Sequence, residues 1–219
     1  MSDKIRTIIA AIMCVGVLVA VVVILALFAK KSSREICDDK PVLYLYPEEK
    51  TEVAVGLELD GRLTCTYPQY DNDWKVTAYP DGKLIDNNGK QYNYLYWEGE
   101  TNAVYDFSEG FCVKGEDTAA CLEKALEQLG LNRREANEFI VYWLPVMQNN
   151  PYNIISFQTD AYTESAKLDI RPKPDTLIRV FMAYKASDSY VDIEEQKLET
   201  PERKGFTVVE WGGAHWCIE

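Results

Sequence analysis

The sequence is short of the residues that metal and nucleophile chemistry use. It carries a single histidine, His215, and no Cys-x-x-Cys pair. A zinc site of cysteine and histidine would therefore need at least three scattered cysteines to converge on that one ring. No metal and no cofactor is expected. Also missing are a Gly-x-Ser-x-Gly elbow, a P-loop, a Gly-x-Gly-x-x-Gly after a strand and a His-Glu-x-x-His, the spacings that mark serine hydrolases, nucleotide-binding proteins and zinc proteases. Positive charge is scarce: Lys and Arg number 23 against 35 Asp and Glu, a net charge of −12 at pH 7. Nucleic-acid binding depends on lysine and arginine displacing counterions from phosphates, so nucleic acid is excluded as a partner. Asp71-Asn72-Asp73 and Asp86-Asn87-Asn88-Gly89 lack the array and closing glutamate of an EF-hand loop, and read as turns.

What the chain does contain is one long apolar run. Ile8 to Ala29 holds no charged or strongly polar side chain, and at about 1.5 Å per residue it reaches roughly 33 Å, enough to cross a hydrocarbon core. The run is longer than the apolar region of a cleaved signal peptide and ends Leu27-Phe28-Ala29-Lys30-Lys31, without the small residues of a cleavage site. Met13 before Cys14, and Arg34-Glu35-Ile36 before Cys37, are wrong for lipid attachment. The expectation is an uncleaved signal-anchor at residues 8–29, behind a short N-terminal tail at 1–7 and ahead of a polar tether at 30–40. Lys30, Lys31 and Arg34 outnumber Lys4 and Arg6, which argues for keeping the following domain inside. The short tail, shaped like a signal-anchor n-region, and an acidic domain argue for the outside, and an extracytoplasmic domain is the reading adopted. Cys37, Cys65, Cys112, Cys121 and Cys217 follow the anchor, an odd number, so at most two bridges form within the domain.

Residues 41–219 read as an α+β domain: a β-rich, mainly antiparallel sheet or sandwich with a helical hairpin at about 117–148. Val53, Val55, Leu57 and Leu59 alternate with Glu52, Ala54, Gly56 and Glu58, and Leu63, Cys65 and Tyr67 continue the period of two. Asp60-Gly61, Pro80-Asp81-Gly82 and Asn88-Gly89 predict hairpin turns. From Asp117 the period lengthens. Leu122, Ala125, Leu126 and Leu129 recur at helical spacing up to Gly130, and Asn132 with Glu135 opens a second helix through Ala136, Phe139, Ile140 and Trp143 until Pro145. Strands return at Tyr152–Phe157, Ala166–Ile170, Thr176–Tyr184 and Phe206–Trp211, with Arg179 opposite the Ile178, Val180, Met182 face.

Two places carry candidate sites. A strand from Gln91 to Trp97 puts Tyr92, Tyr94 and Tyr96 on one face, a ladder of phenol rings able to bind a protein or carbohydrate ligand. At the C-terminus, Glu210, Trp211-Gly212-Gly213 and His215 offer a candidate general acid and base beside Cys217. The preferred reading is a single-pass membrane protein presenting a ligand- or partner-binding domain; the alternative is an extracytoplasmic hydrolase using Glu210 and His215. The runs Lys40-Pro41-Val42-Leu43-Tyr44-Leu45-Tyr46-Pro47, Phe139-Ile140-Val141-Tyr142-Trp143-Leu144-Pro145 and Lys204-Gly205-Phe206-Thr207-Val208-Val209-Glu210-Trp211-Gly212-Gly213 resemble those of an uncharacterised bacterial protein family. That resemblance implies a bacterial, envelope-associated protein and carries over no activity, ligand or catalytic residue.

Overall fold

A computed structural model describes residues 36–216, with side chains from Pro41 onward. The anchor expected at 8–29 lies outside the described residues. Among those that are described, no helix is long and apolar enough to cross a membrane. The elements in chain order are β1 (Ile36–Tyr46), β2 (Thr51–Leu59), β3 (Gly61–Tyr67), β4 (Trp74–Ala78), β5 (Leu84–Asp86), β6 (Gln91–Tyr92), β7 (Leu95–Thr101) and β8 (Glu109–Lys114). Then come α1 (Thr118–Gln128), α2 (Arg133–Met147), β9 (Tyr152–Phe157), α3 (Thr159–Ser165), β10 (Ala166–Arg171), β11 (Thr176–Ser187), β12 (Glu194–Glu195) and β13 (Thr207–His215).

They form an eight-stranded sheet, β12-β8-β9-β11-β13-β1-β7-β3, and a five-stranded sheet, β10-β2-β4-β5-β6. Period-two alternation gives the large sheet two apolar faces. Leu43, Leu45, Trp97, Phe181 and Val208 pack with Val53, Val55, Trp74 and Val76 of the small sheet in one core. Tyr44, Val180, Met182, Val209 and Trp211 pack with Leu122, Leu126, Phe139 and Trp143 of the helices in a second. The domain is thus three layers: small sheet, large sheet, helical hairpin. Most strand pairs are antiparallel, but β11 runs parallel to β13 and β12 parallel to β8, so the large sheet is mixed.

The hairpin forms as its caps dictate. Asn132 accepts from Glu135 N–H at 3.0 Å and the Glu135 carboxylate accepts from Asn132 N–H at 2.8 Å, the reciprocal capping box. Gly130 takes φ +86 just past α1, where a left-handed residue ends the helix. Pro145 stands in the last turn of α2, which continues to Met147. The helix lies close to the sheet because Gly213 lacks a Cβ: one placed there would be 2.7 Å from Trp143 Cζ2 and 2.6 Å from Met182 O.

Two expectations are corrected. β1 begins at Ile36, so five residues assigned to the tether are strand. Pro80-Asp81-Gly82 and Asn88-Gly89 do close hairpins, β4–β5 and β5–β6. Asp60-Gly61 instead hands the chain from one sheet to the other, since β2 pairs with β10 and β4 whereas β3 pairs with β7. The segments β8 and α3 had no sequence expectation.

Candidate functional site

The parallel register of β11 on β13 sets Arg179 opposite Glu210. Both point into the sandwich core, where their side chains are 6% and 0% exposed. Arg179 Nε donates to Glu210 Oε2 at 2.6 Å and Nη1 to Ala166 O at 2.7 Å, and Trp97 Nε1 reaches across β1 to donate to Glu210 Oε1 at 3.1 Å. The guanidinium carbon stands 4.6 Å from the centre of the Tyr162 ring, which itself stacks on Phe181 at 4.2 Å. Burial alone would push the Arg179 pKa down, but the Glu210 carboxylate beside it holds it above the ordinary arginine value. The pair is neutral overall, and each carboxylate oxygen of Glu210 is engaged.

Beside this pair lies a groove of about 800 Å³, lined by residues of β11, α3, the end of β9 and the segments 106–109 and 196–201. It exists because β9 stops short. Pairing of β9 with β11 begins at Met182↔Phe157 and runs toward Ser187, while β11 itself starts at Thr176. Gln158 N–H still reaches Phe181 O at 2.8 Å, and the Thr159 hydroxyl reaches Arg179 O at 3.2 Å. There α3 turns the chain away. From Thr176 to Val180 no strand pairs with this edge of β11 among the described residues.

Side chains fasten the groove walls. Gln196 caps the backbone of Phe157 on its far side, accepting from its N–H at 2.8 Å and donating to its C=O at 2.8 Å. Gln158 ties the 106–109 segment to β9, bonding Ser156 Oγ at 2.7 Å and both backbone groups of Asp106. The Ser108 hydroxyl and N–H hold the Asp106 carboxyl below the usual range, so it is an anion at the groove rim. Arg203 anchors the far end of the 196–201 segment by donating to Gly130 O and to the buried Glu135 carboxylate.

The residues singled out in the sequence fall elsewhere or apart. Tyr92, Tyr94 and Tyr96 do not form one ladder: the chain crosses from the small sheet to the large one at Asn93-Tyr94, and the period of two breaks there. Tyr92 is buried in the sandwich core, and its hydroxyl donates to Asp86 at 3.0 Å. Tyr94 and Tyr96 are half-buried on the helix side, with Tyr94 5.4 Å from Tyr44 and the Tyr96 hydroxyl bonded to Glu98. Burial, and then Glu98, push the Tyr96 pKa far up. Glu210 and His215, five positions apart on one strand, face opposite sides of the sheet, so the expected acid and base do not meet. His215 stacks on Tyr184 at 4.5 Å on the helix side. Among the described residues no group of three His, Cys, Asp or Glu side chains comes together to hold a metal ion. Cys65, Cys112 and Cys121 carry free thiols; the side chain of Cys37 and all of Cys217 lie outside the described atoms.

Sequence reasoning found Glu210 but missed Arg179 as its partner and missed the groove. The one usable signal was an arginine opposite an otherwise apolar strand face, since a charge at a core position demands a counter-charge.

Fold and groove define a β-rich domain of mixed and antiparallel sheets backed by a few helices, with a polar cleft at an unpaired strand edge. The chain belongs to the family of a Butyrivibrio fibrisolvens protein described as "Uncharacterized protein in bglA 3'region", to which it is 45% identical over 76 residues, covering 33% of this chain and 78% of that one. No protein-family model matches the chain, and no solved structure matches it.

Proposed function

We propose that this is a single-pass membrane protein, anchored through residues 8–29, whose extracytoplasmic domain binds a partner or ligand in the groove beside β11. The observation that carries the reading is the stretch from Thr176 to Val180: strand backbone that, among the described residues, has no pairing strand on the side of a groove of about 800 Å³. That volume is in the range of ligand clefts. Beneath it, Arg179 and Glu210 are locked by Trp97, Ala166 and Tyr162, so the edge is held rigid rather than free to collapse. Binding is favoured over hydrolysis because Glu210 is fully buried with both oxygens occupied, and His215 stands on the other face of the sheet.

Two measurements on cells test it. A membrane-impermeant thiol reagent is expected to label exposed Cys65 in intact cells, and to label a Cys65→Ser variant less; labelling that needs lysis places the domain in the cytosol and overturns the localisation. A photo-crosslinking residue at Leu177, 45% exposed in the groove, is expected to give a specific adduct that the same residue at Val146, 57% exposed on α2, does not. No adduct, or equal adducts at both positions, removes the groove as the binding site.

A further inference from the structure

The kind of ligand follows from how the open edge is built, and rests on the groove being the binding site. In a strand the N–H and C=O of one residue point to the same side, and successive residues alternate. Arg179 O and Phe181 O are taken from the α3 and β9 side, by Thr159 and Gln158, while Thr176 N–H turns the other way to Phe206 O on the β13 side. The odd-numbered residues therefore face the groove. Among the described residues, no strand receives Leu177 N–H, Leu177 C=O and Arg179 N–H there. At about 3.3 Å per residue, Thr176 to Val180 offers an edge of roughly 17 Å. Such an edge is satisfied by the backbone of another extended chain.

Charge and shape say which chain. Asp106, Glu109, Asp160 and Glu199 line the groove against Lys197, and Arg179 is neutralised by Glu210. The field inside favours cations. Leu177, Leu129 and Pro201 give an apolar patch among these carboxylates. Phe157 is the aromatic residue of the lining and is 6% exposed, so no open ring is presented for a sugar face. We infer that the groove takes an extended peptide segment carrying lysine or arginine alternating with apolar residues, added as a strand on the open edge of β11.

The test uses the full-length protein in detergent micelles and fluorescein-labelled hexapeptides read by anisotropy. A Lys-Val alternating hexapeptide is expected to bind at least tenfold tighter than its Glu-Val counterpart, and tenfold tighter than a Lys-Val peptide N-methylated at alternate positions. Amide exchange at Leu177 and Arg179 is expected to slow on adding the Lys-Val peptide. Asp160→Lys with Glu199→Lys should abolish the preference for lysine over glutamate. Leu177→Pro should weaken binding several-fold, because it removes a groove-facing N–H without touching the ladder to β13. Equal binding of the lysine and glutamate peptides, indifference to N-methylation, or unchanged exchange at Leu177 and Arg179 overturns the inference. If none of the peptides binds while a crosslinker at Leu177 still gives its adduct in cells, the peptide inference falls and the groove reading stands; if the adduct is also missing, both fall.

Discussion

Replacing Glu210 by glutamine keeps the side-chain shape and an acceptor for Trp97 Nε1, and removes only the charge. Arg179, 6% exposed, then holds a buried guanidinium with no counter-charge. Breaking a buried pair by removing one partner costs about 3–5 kcal/mol, because the surviving ion keeps its desolvation penalty. Arg179→Met leaves the Glu210 carboxylate stranded and costs a similar amount. The double variant Arg179→Met with Glu210→Gln buries no charge at all. Its main loss is the donor to Ala166 O, worth about 1–3 kcal/mol for an unsatisfied buried acceptor. The double variant is therefore expected to be more stable than either single one, a coupling of about 3 kcal/mol or more. A domain of ordinary stability, about 5–15 kcal/mol, leaves room to measure all three. The assay is equilibrium urea unfolding of the full-length protein in micelles by tryptophan fluorescence, to which Trp97 contributes directly. A double variant as unstable as the sum of the singles, or a single variant costing less than about 1 kcal/mol, refutes the placement of this pair in a dry core.

Two further outcomes follow from the packing. Gly213→Ala puts a Cβ 2.6 Å from Met182 O and 2.7 Å from Trp143, so α2 must lift from the sheet; a loss of about 1–3 kcal/mol in urea unfolding and altered near-ultraviolet circular dichroism are expected, and an unchanged midpoint contradicts the close approach. Burial lowers the His215 pKa below its ordinary 6.5, so the folded state disfavours the proton that the unfolded chain accepts. Its contribution is full above about pH 6.5 and is lost as pH falls toward the folded value. His215→Phe, which keeps a ring on Tyr184, should therefore lose less stability than wild type between pH 7.5 and 5.5. Parallel pH profiles rule this out.

The local elements were legible because their determinants are local. Alternation put Val53 and Val55 inward, Asn132 and Glu135 opened α2, Gly130 closed α1, and Pro80-Asp81-Gly82 and Asn88-Gly89 turned their hairpins. Each depends on residues within a few positions of one another, where steric limits and near-neighbour hydrogen bonds decide the outcome. β8 and α3 were missed because both are short and carry little periodic pattern.

Local pattern alone specifies a run of β-rich elements interrupted by a capped helical hairpin, behind an apolar segment of membrane-spanning length. Tertiary structure decided everything about the site. The split of Tyr92 from Tyr94 and Tyr96 depends on which sheet each strand joins, and the neighbour of Glu210 on a parallel pairing with a strand some thirty residues earlier in the chain. The groove depends on α3 turning the chain away opposite Phe181, short of the start of β11 at Thr176. None of these has a local signature, because long-range pairing is chosen by the burial of whole faces at once, and a period of two reads the same whichever strand lies alongside.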